Sequence, residues 1–139
     1  MPAKSAYTFG ARLSGPVAVN RPRVEGALKA EGFGVLTEID VRATLHAKLG
    51  VDWPEHVILG ACNPPLAHRA LSADPSVGAL LPCNVVLREV GGETVVEAID
   101  PHVAFGIVDD PLLRPVADEA RDRLTRAIAS LDAAERRTP

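Results

Sequence analysis

Cys83-Asn-Val-Val-Leu-Arg-Glu-Val90, Gly91-Gly92 and Glu93-Thr-Val-Val-Glu-Ala-Ile99 decide the fold. Two runs rich in β-branched residues flank a Gly-Gly pair, the composition of a two-residue hairpin turn. A hairpin rules out a purely parallel sheet. Upstream, Tyr7 to Leu13, Phe33 to Ile39 and His56 to Ala61 also read as strands. In Phe33 to Ile39, alternation puts Phe33, Val35, Thr37 and Ile39 on one side. His56 to Ala61 is nearly continuous in apolar residues, as a central strand would be.

Helices fall between these strands. One runs from near Ala18 or Arg21 to Glu31, with Val24, Ala27 and Leu28 on its apolar face, Pro22 in its first turn and Gly32 as its stop. Asp40 caps a second through Leu49, with Val41, Leu45 and Leu49 in line before Gly50. A third follows Asn63-Pro64 and buries Ala67, Ala70 and Leu71. A short helical segment follows Asp100-Pro101, and Asp110-Pro111 leads into a last helix ending near Leu131. Val116, Ala120, Leu124, Ile128 and Leu131 form its buried stripe. Glu119 with Arg123, and Asp122 with Arg126, are spaced for i,i+4 ion pairs. Trp53 reads as a plug at the core edge.

Asn or Asp precedes Pro at Asn63, Asp74, Asp100 and Asp110. Such a side chain can cap free helical N–H groups, while Pro at the first helical position has none to leave unpaired. The order β-α-β-α-β-α-β-β-α-α predicts an α+β domain, a two-layer α/β sandwich with a mainly antiparallel sheet and helices on one face. The open face then needs a cover, and a homodimer packing sheet on sheet is the simple solution.

The chain has 139 residues, enough for one domain over its whole length with a sizeable core, and a tail over 134–139 expected to fray. Aromatics make up only 4%, so the core is aliphatic. A net charge of −3 without a basic patch argues against nucleic acid as a partner. No window reaches the roughly 18 apolar residues of a membrane span. Met1-Pro-Ala-Lys-Ser5 precedes no apolar run, so it does not read as a secretory signal and the expected location is cytoplasmic. Reduced thiols are expected there.

Gly32-Phe-Gly-Val-Leu-Thr-Glu-Ile-Asp40, Ile58-Leu-Gly-Ala-Cys-Asn-Pro-Pro-Leu-Ala67 and Leu80-Leu-Pro-Cys-Asn-Val-Val86 strongly resemble the domain-of-unknown-function 302 family. Ala98-Ile-Asp-Pro101 and Pro111-Leu-Leu-Arg-Pro-Val-Ala-Asp-Glu-Ala120 fit its later part. The resemblance covers roughly 24–131. It implies a two-layer α/β sandwich, mainly antiparallel, and a homodimer, and it implies no established activity. Similar chains often carry Met-rich positions after Asp-Pro, whereas this one reads His102-Val-Ala-Phe-Gly106.

Cys62 and Cys83 each stand in a Cys-Asn pair, one ending a strand and one beginning another. Convergence at one rim of the sheet would make a ligand- or partner-binding site of Cys62, Asn63, Cys83 and Asn84. Two thiols there would alternatively form a redox pair or hold a soft metal. Free cysteines are also often plain buried hydrophobes. Cys62 precedes a helix start, whose N–H groups favour a thiolate, so an enzyme with a Cys62 nucleophile is a further alternative. It lacks a recognisable base among His46, His56, His68 and His102. Glu38 joins the candidate site from a neighbouring strand end, paired with Asp40, which has capping to do. No HExxH, CxxC or Gly-rich phosphate loop occurs, so no metal centre or cofactor is expected.

Overall fold

The structure is a computed structural model that describes residues 5–137. Met1 to Lys4, within the N-terminal stretch considered above, and the last two residues lie outside the described residues. The strands are β1 (Thr8–Leu13), β2 (Gly34–Asp40), β3 (His56–Cys62), β4 (Cys83–Val90) and β5 (Glu93–Ile99). The helices are α1 (Val17–Ala30), α2 (Val41–Leu49), α3 (Pro64–Ala73), α4 (Pro101–Gly106) and α5 (Arg114–Arg136), with a 3-10 turn over Pro75–Leu80. The α+β expectation holds. One five-stranded sheet runs β1-β5-β4-β3-β2, and every neighbouring pair is antiparallel. Gly91 and Gly92 turn the β4–β5 hairpin with φ of 58° and 80°, the left-handed region a two-residue hairpin turn requires. β4 is central; β3 lies beside it, interior as its apolar run implied.

Pairing makes the two faces of the sheet unlike. Ala11, Leu13, Leu59, Ala61, Val85, Leu87, Val96 and Ala98 point to one side and pack with Val24 and Leu28 of α1 and Leu124, Ala127, Ile128 and Leu131 of α5. A second cluster joins Leu66 and Ala70 of α3, Val77, Phe105 of α4, and Leu113, Val116, Ala117 and Ala120. The predicted α5 stripe is therefore buried throughout, and α5 links the two clusters. On the other side, Arg12, Arg88 and Glu97 alternate with the core positions and form the ion pairs Arg12–Glu93 and Arg88–Glu97.

Several elements differ from the sequence expectation for definable reasons. α1 begins at Val17, so Pro22 lies inside the helix rather than in its first turn. The buried Asn20 amide holds that first turn by donating to the carbonyls of Ser14, Gly15 and Pro16 and to Thr94 Oγ1. A register shift between Val35 and Thr37 breaks the predicted alternation of β2. Val35 sits opposite Ala61, whereas Thr37 and Ile39 sit opposite Gly60 and Ile58 on the other face. Phe33 lies just before the strand, in the core.

α3 buries Leu66 and Ala70, leaving Ala67 half-buried and Leu71 exposed. α2 buries nothing, although Val41, Leu45 and Leu49 do align. Trp53 is exposed rather than a core plug. Pro111, Leu112 and Leu113 form a turn before α5 starts, and α5 continues to Arg136, past the expected end near Leu131. Glu135 anchors that end by accepting from Ser14 N–H at 2.7 Å and pairing with Arg23. Glu119–Arg123 forms as predicted, but Arg126 pairs with Glu31 across to α1 rather than with Asp122.

Candidate functional site: the cleft at the end of strands β3 and β4

Asn63, Asp74 and Asp100 cap helix starts as the sequence implied, whereas Asp110 closes only the turn that precedes α5. Asn63 accepts from Leu66 N–H (3.3 Å), Asp74 from Ser76 (3.0 Å), Asp100 from His102 (2.9 Å) and Asp110 from Leu112 (2.9 Å). Asn63 thereby fixes the sharp exit from β3 into α3 directly after Cys62. Gly32, at φ +86°, ends α1 against that cap. A Cβ there would lie 2.9 Å from Asn63 Nδ2, so the residue is glycine for backbone and for space.

Cys83 opens β4 opposite Ala61. Paired residues share a face, so Cys83 turns with Ala61 into the core while Cys62, one residue on, is out of phase. Cys83 is buried, Cys62 half-buried, and both thiols are free. Burial, with a smaller contribution from neighbouring Cys62, pushes the Cys83 thiol up to about 11. At neutral pH it is a protonated apolar group.

Both cysteines border one narrow cleft. Its walls are Phe33, Ala61, Asn63, Leu66, Ala67 and Ala70 on one side and Leu81, Pro82, Phe105, Val116 and Ala120 on the other. The enclosed space is about 20 Å³, room for a water-sized group. The cleft thus lies on the seam between the two hydrophobic clusters. The structure brings Cys62, Asn63 and Cys83 together there. Asn84 is exposed opposite Gly60, on the opposite face from Cys83. Glu38 lies on β2 opposite Leu59 and is ion-paired with Arg21, whose hydrogen bond and charge hold its carboxyl below the usual range. Neither borders the cleft. The aliphatic and Phe105 walls carried no signal as a set in the sequence, because they come together only through tertiary packing.

The histidines lie elsewhere. His56 begins β3 while Cys62 ends it, about 20 Å away at the rise of a strand. Its Nδ1 accepts from Trp53 Nε1 at 3.3 Å. His102 Nε2 lies 2.5 Å from Asp118 Oδ1 in a separate hollow of about 390 Å³ floored by Phe105 and Leu113. His46 and His68 are exposed on α2 and α3. Among the described residues, no three His, Cys, Asp or Glu side chains gather as a metal site would need, and no helix is long and apolar enough to cross a membrane.

No curated protein matches the chain. Among solved structures, it is similar to an uncharacterized conserved DUF302 protein from Bacillus stearothermophilus, at 32% identity and a TM-score of 0.83, over 90% of this chain and 98% of that one. A family model, the domain of unknown function DUF302, matches residues 11–131. That span starts further upstream than the motifs alone indicated and takes in the second half of β1, the edge strand that completes the sheet beside β5. The chain therefore belongs to the DUF302 family.

Proposed function

We propose that this domain binds a small ligand at the strand-end cleft. The apolar end of the ligand enters between the two hydrophobic clusters, and its polar end meets Cys62 and Asn63 at the mouth. The observation that carries this reading is the position of a half-buried thiol on the wall of an apolar seam. A cleft of this size takes a single methyl-sized end and resists a longer chain or a ring, since packed interiors yield little. Cys62 supplies a polarisable contact. Binding is favoured over nucleophilic catalysis because the nearest histidine along β3 is at its far end. It is favoured over a dithiol site because Cys83 faces the core, out of phase with Cys62.

Modification of Cys62 tests this. Methyl methanethiosulfonate should label Cys62 in the native protein, and a short aliphatic alcohol or aldehyde should slow that labelling. Ala70→Leu, which fills the seam, should abolish the protection. Labelling that is indifferent to every such molecule removes the proposal.

A further inference from the structure

Phe33 and Phe105 are two of the chain's three phenylalanines, and both wall the strand-end cleft. Alanines supply much of the remaining wall, at Ala61, Ala67, Ala70 and Ala120. Small side chains leave the space open, so the two rings decide how far it extends. Phe33 follows Gly32, which lies against the Asn63 side chain, and it packs in the cluster beneath the sheet. Phe105 comes from α4 and packs in the second cluster.

Phe105 is also a wall of the hollow that His102 and Asp118 border. Among the described residues it is the only one that lines both spaces. The cleft holds about 20 Å³ and the hollow about 390 Å³. One ring therefore separates room for a methyl-sized group from room for a whole small molecule.

A residue that limits length must be held in place, and Phe105 is held on both sides. Before it, Asp100 accepts from His102 N–H at 2.9 Å and pairs with Arg121 at 3.2 Å. His102 Nε2 in turn lies 2.5 Å from Asp118 Oδ1. After it, Val108 N–H donates to Phe105 O at 3.1 Å. These contacts tie a helix of six residues to α5 and to the loop that follows. The ring is only 6% exposed, and moving it aside would return a buried aromatic surface to water.

We infer that Phe105 sets the length of the ligand, stopping its apolar end after one carbon, so that the cleft selects small polar molecules ending in a single methyl group. This rests on the reading of the cleft as a binding site. The ring closes the hollow behind it to that ligand.

Labelling of Cys62 by methyl methanethiosulfonate, in the presence of a series of straight-chain alcohols, measures the limit. In wild-type protein ethanol should slow the labelling, and 1-butanol and 1-hexanol should not. In Phe105→Ala, which joins the cleft to the hollow, both longer alcohols should slow it as well. Phe105→Leu keeps an apolar side chain should the alanine variant fail to fold, and it should extend the limit to 1-butanol. Wild-type protection by 1-hexanol as strong as that by ethanol overturns the inference, as does a limit that neither Phe105 variant moves. A limit moved by Phe33→Leu but by neither Phe105 variant places the stop at the other ring and also overturns it. Labelling indifferent to every alcohol in every one of these proteins overturns the binding reading itself, and this inference with it.

Discussion

Cys83 is paired across the ladder with Ala61, not with Cys62, and this one-residue offset separates the roles of the two thiols. One is turned into the core with its thiol raised to about 11, and the other is half-buried on the cleft wall. At pH 8, native protein should take up one equivalent of iodoacetamide, all of it at Cys62, with Cys83 reacting only after unfolding. Peptide mass spectrometry reads this directly. Fast labelling of Cys83 in native protein would show that the core opens at the rim. Cys83→Ser should lose about 1–3 kcal/mol in urea unfolding, because a buried hydroxyl replaces an apolar thiol.

Gly60 marks the tightest contact near the cleft. A Cβ there would fall 2.2 Å from Thr37 Oγ1 and 2.8 Å from Pro82 Cγ. Gly60→Ala should destabilise by about 1–3 kcal/mol. Adding Thr37→Ala should recover part of that loss, since one of the two clashes is with a side chain that can be removed. At Gly10 the obstacle is backbone, Val96 O at 1.7 Å, so Gly10→Ala has no such rescue. Equal losses in Gly60→Ala and in the double variant would show that Pro82 alone sets the spacing.

Asn20 is fully buried and joins the start of α1 to β5 through Thr94, whose hydroxyl also donates to Gly15 O at 2.9 Å. Asn20→Ala removes an amide bonded to Ser14, Gly15, Pro16 and Thr94, although Gly15 O keeps the Thr94 hydroxyl and Pro16 O keeps the N–H groups of Val19 and residue 20. The expected loss is about 2–3 kcal/mol by chemical denaturation. A change below 0.5 kcal/mol, the ordinary range of a surface substitution, would mean water replaces the amide.

Acid should act through His56. Burial, then the charge of Arg88, lowers its pKa below the ordinary 6.5, with Glu97 opposing. The unfolded chain therefore takes up a proton first as pH drops through about 6.5, and stability falls until the folded-state pKa is passed. Protonation also removes the Nδ1 lone pair that accepts from Trp53. His56→Gln should remove this upper step of the acid limb and leave a lower one from Glu97. Burial alone would raise the Glu97 carboxyl, but hydrogen bonds from Thr8 and Arg88 bring it below 4.5, so its stabilisation is lost as pH falls from there. Unfolding free energies of both proteins across pH 4–8 check this, and overlapping curves would rule His56 out.

Local chemistry made much of this molecule legible from its residues. Gly91-Gly92 announced the hairpin, three of the four Asn/Asp-Pro steps announced helix caps, and the spacing from Val116 to Leu131 announced the buried face of α5. The adjacency of Cys62 and Cys83 also followed, because strand ends joined by a short helix and turn return to one rim. Features set by tertiary packing did not. Nothing in Phe33 to Ile39 reveals the shift that puts Val35 and Thr37 on opposite faces. Asn84 reads like Asn63 in sequence, but the pleat sends it away from the cleft. Arg126 had an i−4 partner in Asp122 and took Glu31 instead, because α1 ends beside α5. Leu49 and Trp53 carry the pattern of core residues with no core within the single chain to receive them.

The cleft as binding site is tested most directly by methyl NMR with a short aliphatic alcohol titrated into native protein. Saturable shifts confined to the methyls of Leu66, Ala67, Ala70 and Ala120, and lost in Ala70→Leu, are the result expected. Shifts centred instead on Ile128 and Ala129, in the wider groove between β1 and α5, or no saturable shift at all, would contradict it.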